Sequence, residues 1–199
     1  MNESEGSGTL EERGGRYVLR FERFLGHSRE RVWRAITSED DLSAWFPARM
    51  VGEREVGAAL RFVFAEPGRT PADSDAEGLV MTGEILVCDP PGVLEYRLDD
   101  DVLRWELEER PGGTLLTFTH TFDDQGRGAL YAAGWDHCFA SLEAHLGGSP
   151  VEPFRWDRHN DRFARYARRF GPEGAVHRSP PEPAGESASG SRESTEDIL

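Results

Sequence analysis

Along the chain the spacing of hydrophobic positions changes once. From Tyr17 to Phe122 it is mostly two: Tyr17, Leu19 and Phe21 share one face, with Arg23 in the same register. Alternating or apolar runs recur at Ala59–Phe64, Leu79–Cys88, Val93–Leu98, Val102–Glu108 and Thr114–Phe122. A period of two puts every second side chain on one face, so each run predicts a strand with a buried side. The separators are turn formers: Glu66–Gly78 with Pro67, Gly68 and Pro71, then Pro90-Pro91-Gly92, Asp99–Asp101 and Pro111-Gly112-Gly113. Connections this short join antiparallel neighbours. From Gly128 to Leu146 the period becomes about 3.6. Leu130, Trp135, Cys138, Phe139, Leu142 and Leu146 predict a helix with one apolar stripe, stopped by Gly147 and Gly148.

Three shorter helices are expected around this frame. Ser28 is placed to cap one carrying Val32, Trp33, Ala35 and Ile36. Ser38 and Asp41 resemble a capping box opening a second, which runs to Trp45 and Phe46 and ends at Pro47. Asp157 is the candidate cap of a last helix ending at Phe170. It packs through Phe163, Tyr166, Ala167 and Phe170, with Arg158, Arg162, Arg165, Arg168 and Arg169 on its other side. Those arginines are expected to neutralise acidic parts of the same chain, an acidic partner being the alternative. A strand meander with an early helix pair and one long late helix is an α+β order. A single sheet cannot bury its concave face alone, so the long helix lies across it and leaves room for a cavity.

Composition then sets boundaries. At 199 residues the chain holds one domain. Residues Met1–Gly15 and Gly171–Leu199 are rich in Gly, Ser, Glu and Pro and are expected to be flexible tails. The main domain is expected over residues 16–148, with a helical extension over 149–170. A net charge of -14 and a pI near 4.9 disfavour nucleic acid and anionic membranes as partners. All 23 basic residues are arginine, which excludes lysine Schiff-base chemistry. The arginine bias, with much Ala and Gly, suggests coding by a high-GC bacterial genome. The N-terminal stretch has no apolar run of signal-peptide type, and no stretch reaches the length of a membrane span, so a cytoplasmic location is expected. Cys88 and Cys138 read as reduced, packed thiols.

An ordered set of segments carries a family resemblance. It comprises Arg31–Thr37 (RVWRAIT), Leu42–Phe46 (LSAWF), Gly83–Pro91 (GEILVCDPP) with Leu94, Trp105–Leu107, Gly113–His120 (GTLLTFTH) and Gly134-Trp135. Together they resemble the activator of heat-shock-protein ATPase homologue-like family, within the START-like or SRPBCC superfamily of helix-grip proteins. The resemblance spans Arg16 to about Gly148. It implies a curved antiparallel sheet gripping a long C-terminal helix, and a hydrophobic pocket. The superfamily includes ligand carriers, polyketide cyclases, aromatases and co-chaperone domains, so the fold leaves function open. No single catalytic motif transfers residue by residue.

Within the grip the candidate ligand-binding residues are Tyr96, Trp105, Phe118, Trp135 and Phe139, whose rings offer large apolar area. In a cavity fold, core and lining overlap. His120 follows Leu116 and Phe118 on the inward face, where its imidazole would orient a ligand or move a proton; the alternative is a strand-end histidine bonded to backbone. Trp33, Trp45 and Phe46 are assigned to anchoring the short helices. Alternation puts Glu106 on the outer face and leaves Glu84 open. There is no nucleophile elbow, no glycine-rich nucleotide loop, and no metal pair: His137 and His145 stand about 12 Å apart by helical rise. No cofactor or metal is expected. The leading expectation is a non-enzymatic protein binding a small apolar or aromatic molecule. Docking of a chaperone-type ATPase is second and a cyclase or aromatase-type enzyme third.

Overall fold

The structure, a computed structural model, describes residues 7–64, 79–152 and 156–175. The expected turn at Glu66–Gly78 and the tail beyond residue 175 lie outside the described residues. Eight strands form one antiparallel sheet: β1 (Thr9–Arg13), β2 (Arg16–Leu25), β3 (Ala48–Val51), β4 (Ala59–Phe64), β5 (Val80–Asp89), β6 (Val93–Leu98), β7 (Asp101–Arg110) and β8 (Gly113–Phe122). Their order is β1-β2-β8-β7-β6-β5-β4-β3. Helices α1 (Arg29–Thr37) and α2 (Glu39–Trp45) follow β2, and α3 (Gly128–Leu146) and α4 (Trp156–Phe170) follow β8. This is the α+β helix-grip architecture.

The alternation decides the inner face. In β8 every second residue from Thr114 to Phe122 is buried, and in β7 the same holds for Leu103, Trp105 and Leu107. Antiparallel register aligns these into rows across the sheet. One runs Leu94, Trp105, Phe118, Phe21; the next runs Tyr96, Leu103, His120, Leu19. Gly83 lies where β6 approaches β5 closely: a Cβ there would stand 2.1 Å from the carbonyl oxygen of Arg97. Across the concave face lies α3, burying Trp135, Cys138, Phe139, Leu142 and Leu146 as expected.

The helix departs from a single stripe in two ways. Leu130 is 37% exposed, and Ala129, Ala132, Ala133 and Ser141 are buried as well. A helix apolar on several sides needs more than one cover, and here α4 packs against α3 as the second.

Four readings of the sequence are corrected. Residues 9–13, placed in a flexible tail, form β1 and pair with β2 from Thr9↔Arg20 to Arg13↔Arg16. The cause is Gly14-Gly15: both adopt positive φ, 61° and 80°, the two-residue turn whose twist matches a hairpin. β3, unforeseen after Pro47, is four residues long, too short for its alternation of buried Ala48 and Met50 to register as a period. Ser28 caps α1 by accepting from the Arg31 amide, but Ser38 makes no side-chain cap bond, because Asp41 turns to an ion cluster instead of a capping box. The last helix begins at Trp156, so Asp157 lies inside it.

Candidate functional site

The aromatic residues singled out in the sequence do come together. Phe118 lies 4.2 Å from Trp135, 4.4 Å from Trp105 and 5.6 Å from Phe139, centroid to centroid. Tyr96 joins them by accepting a hydrogen bond from Trp105 Nε1 at 3.4 Å. Trp45 and Phe46, assigned only to helix anchoring, are part of the same cluster, 6.2 Å from Trp105 and 6.0 Å from Trp135. All of these rings are at most 9% exposed. Edge and tilted contacts at these distances mean that the rings fill the middle of the grip with one another.

At the end of the grip nearest the start of α3 the lining changes. The imidazole of His120, 4% exposed, is held by side chains and not by backbone. Trp135 Nε1 donates to its Nδ1 at 3.0 Å, and its Nε2 lies 2.9 Å from Asp101 Oδ2. Because an indole N–H can only donate, Nδ1 is the acceptor, and the ring proton sits on Nε2 and is given to Asp101. Both nitrogens are therefore committed. Tyr131 stacks over this ring at 4.4 Å, and its hydroxyl accepts from Arg127 at 3.0 Å. Burial raises the Tyr131 pKa; the Arg127 hydrogen bond opposes it, and the Asp101 charge and hydrogen bond reinforce it. Asp101 is thus the acceptor on which His120 and Tyr131 converge, and its side chain is 22% exposed. Beside it Leu98, its direct cross-strand partner, and Tyr131 are only half-buried.

In the sequence Asp101 reads as part of an acidic turn, Asp99–Asp101. The signal was present: it continues the inward register of Leu103 and Trp105 two residues earlier. Glu84 and Glu106 take no part, pairing on the outer face with Arg97 and Arg104. Cys138 is inert, its thiol pushed up to about 12 by burial. Among the described residues no group of three metal-ligating side chains gathers.

At the other end of the grip, His145 Nε2 lies 2.6 Å from Asp41 Oδ1, with Arg31 at 3.0 Å and Arg34 at 3.2 Å from the same carboxylate. Burial works against the Asp41 charge, but the hydrogen bond from His145 and the charge and hydrogen bond of Arg31 outweigh it and lower its pKa.

The order of strands and helices, the gripped α3 and the aromatic core have a counterpart in one family. The sequence pattern described as "Activator of Hsp90 ATPase homolog 1-like protein" matches residues 26–147. The chain belongs to this family. That stretch runs from the turn after β2 through α3, so β1, β2 and α4 flank the family core. No curated protein matches the chain. Solved structures share the fold: a protein encoded by gene BPP1335 of Bordetella parapertussis has TM-score 0.64 at 25% identity, covering 82% of this chain and 90% of its own. The conserved protein EF2215 of Enterococcus faecalis, of unknown function, has TM-score 0.63 at 19% identity over 82% and 92%. CalU16 of Micromonospora echinospora has TM-score 0.61 at 17% identity over 83% and 97%. Among the described residues of this family member, no helix is long and apolar enough to cross a membrane.

Proposed function

We propose that this family member binds a small apolar or aromatic molecule without turning it over, at the Asp101–Tyr131 end of the grip. One observation carries the reading: a buried, fully bonded His120–Asp101 pair ends in a partly exposed carboxylate flanked by half-buried Leu98 and Tyr131. An apolar rim around one oriented acceptor is the composition of a ligand site, where apolar area supplies affinity and a polar group fixes orientation. The aromatic middle acts as its floor, with Trp135 and His120 nearest, and Trp105, Phe118, Tyr96 and Phe139 as packing behind them. No resident cofactor or metal enters this reading.

The test is a titration with naphthalene. Binding quenches tryptophan emission and raises Tm, because a ligand that prefers the folded state stabilises it by mass action. Leu98→Trp fills the rim and abolishes both effects. Unchanged binding in that variant would move the site elsewhere.

A second reading, an enzyme of the cyclase or aromatase type, is favoured by the convergence of Asp101, His120 and Tyr131, since acid–base chemistry needs such polar groups together. Against it, His120 has no nitrogen left for a substrate. Docking of an ATPase, the activity in the family's description, has less support: the exposed large apolar residues Phe24, Val51, Val56, Leu79 and Leu130 come from separate strands, loops and α3.

A further inference from the structure

A cleft of about 210 Å³ lies on the far side of α3 from the sheet, where the chain turns into α4. One wall is apolar, made by Ala140, Ala144 and Pro150. His137 stands on the same helix as Ala140 and Ala144, Arg158 and Arg162 come from α4, and the hydroxyl-bearing Ser141 is 4% exposed. The volume is below the roughly 300–1,000 Å³ of drug-sized sites, so its occupant is a fragment-sized molecule.

Charge decides the class of that occupant. Although the whole chain carries -14, the charged residues lining the cleft are two guanidiniums, Arg158 and Arg162, and one carboxylate, Glu152. Outside the lining, Asp136 takes Arg162 at 3.2 Å together with Arg23 at 3.4 Å and Arg165 at 2.7 Å. His137, its pKa lowered by burial and then by Arg162, adds no charge at pH 7. Glu152 pairs in the cleft with Arg158. Its side chain is 64% exposed and that of Arg158 55%, so the pair is weak and readily exchanged.

We infer that the α3–α4 cleft is a binding site for a small carboxylate with an apolar body, in which the carboxylate replaces Glu152 on Arg158 while the body lies along Ala140, Ala144 and Pro150. Glu152 is the internal occupant that the ligand displaces. A guanidinium suits this role because its planar fork matches a carboxylate with two parallel hydrogen bonds. The site depends on α4, which lies outside the residues 26–147 that match the family pattern.

The experiment uses full-length protein labelled with ¹⁵N and three probes of one size: benzoate, benzamide and benzylamine. Benzoate is expected to shift the amide signals of His137, Ala140, Ser141 and Ala144, saturably, and at least about tenfold more tightly than benzamide, since only the carboxylate offers a charged acceptor. Benzylamine leaves those signals unmoved. Arg158→Gln, at an exposed position that does not hold the fold, weakens benzoate about tenfold, and Glu152→Gln strengthens it by removing the competitor. Equal binding of benzoate and benzamide would overturn the inference. So would a Glu152→Gln variant with unaltered affinity, or shifts confined to Tyr131 and Asp101, which would transfer benzoate to the grip.

Discussion

Two histidine–aspartate pairs stand at opposite ends of the grip, His145–Asp41 at 2.6 Å and His120–Asp101 at 2.9 Å, and they do different work because of what surrounds them. Asp41 receives Arg31 and Arg34 in addition to His145, so its charge is matched by cations and its acceptor positions are filled from α1 and α3. That end is a clasp holding the short helices to the long one. Asp101 receives His120 and Tyr131, and Arg127, which joins this network, has a side chain 57% exposed and a bond to the tyrosine oxygen. Its carboxylate keeps acceptor capacity in an apolar rim. The same pair of residue types is a fastener where guanidiniums saturate it and a candidate recognition point where aromatic side chains leave it partly open.

The largest expected effect tests what separates the two ends. Phe118 is fully buried and touches Trp105, Trp135 and Phe139, so Phe118→Ala is expected to destabilise by about 3–5 kcal/mol in denaturant unfolding. A loss below about 1 kcal/mol would mean that the middle is not close-packed, and would return the ligand site to the centre of the grip.

A smaller effect is expected at the open end. Trp135→Phe keeps most of the ring but removes the donor to His120 Nδ1, leaving a buried acceptor unsatisfied at a cost of about 1–3 kcal/mol. If unfolding midpoints of this variant and the wild type coincide, the hydrogen bond does not orient His120, and the contrast between the ends loses its basis.

At the clasp the test is pH. Asp41 has a folded-state pKa below its ordinary value of 3.8, so its contribution is fully present above that value and lost as pH falls through the lower, folded-state one. Asp41→Asn is expected to lower Tm by about 2–4 °C at pH 7, the equivalent of one ordinary hydrogen-bond contribution in a chain of this size. The gap to wild type should close progressively below pH 3.8. A gap that persists unchanged to the lowest pH at which the protein folds would show that charge at Asp41 is not what fastens α1 and α2.

What could be read from the sequence follows the reach of each signal. Strands of six to ten residues with a single buried face, such as β8, announce themselves by alternation, and α3 by its change of period. β3 and β1 do not: one is four residues long, and the other is charged and held by backbone pairing across Gly14-Gly15. The aromatic cluster was legible residue by residue, but whether rings line a hollow or fill it depends on packing distances that no spacing encodes. His120 was legible as inward-facing, whereas its partners were not. Asp101 is nineteen residues away along the chain and Trp135 fifteen, and only the β7–β8 register and the seating of α3 bring them together. Asp41 shows the converse. Its local context resembles a capping box, and a contact with His145, 104 residues on, overrides that local preference.

The smallest expected effect on stability separates the ends most directly. In Asp101→Asn the side chain keeps its shape and one amide oxygen, so His120 Nε2–H retains an acceptor and the loss should stay within about 1 kcal/mol. What changes is the rim: a charged acceptor becomes neutral, and one of its two positions becomes a donor. An apolar ligand bearing an amine or hydroxyl head, 2-naphthylmethylamine or 2-naphthol, should therefore lose about tenfold in affinity, while naphthalene itself is unaffected and 2-naphthoate gains. The asymmetry follows from the tautomer. With His120 locked between Trp135 and Asp101, the head group meets the carboxylate and not the imidazole, and a carboxylate attracts donors and repels anions. Equal losses for all four probes would place Asp101 among the groups that merely hold the fold, and the two ends of the grip would then be two clasps.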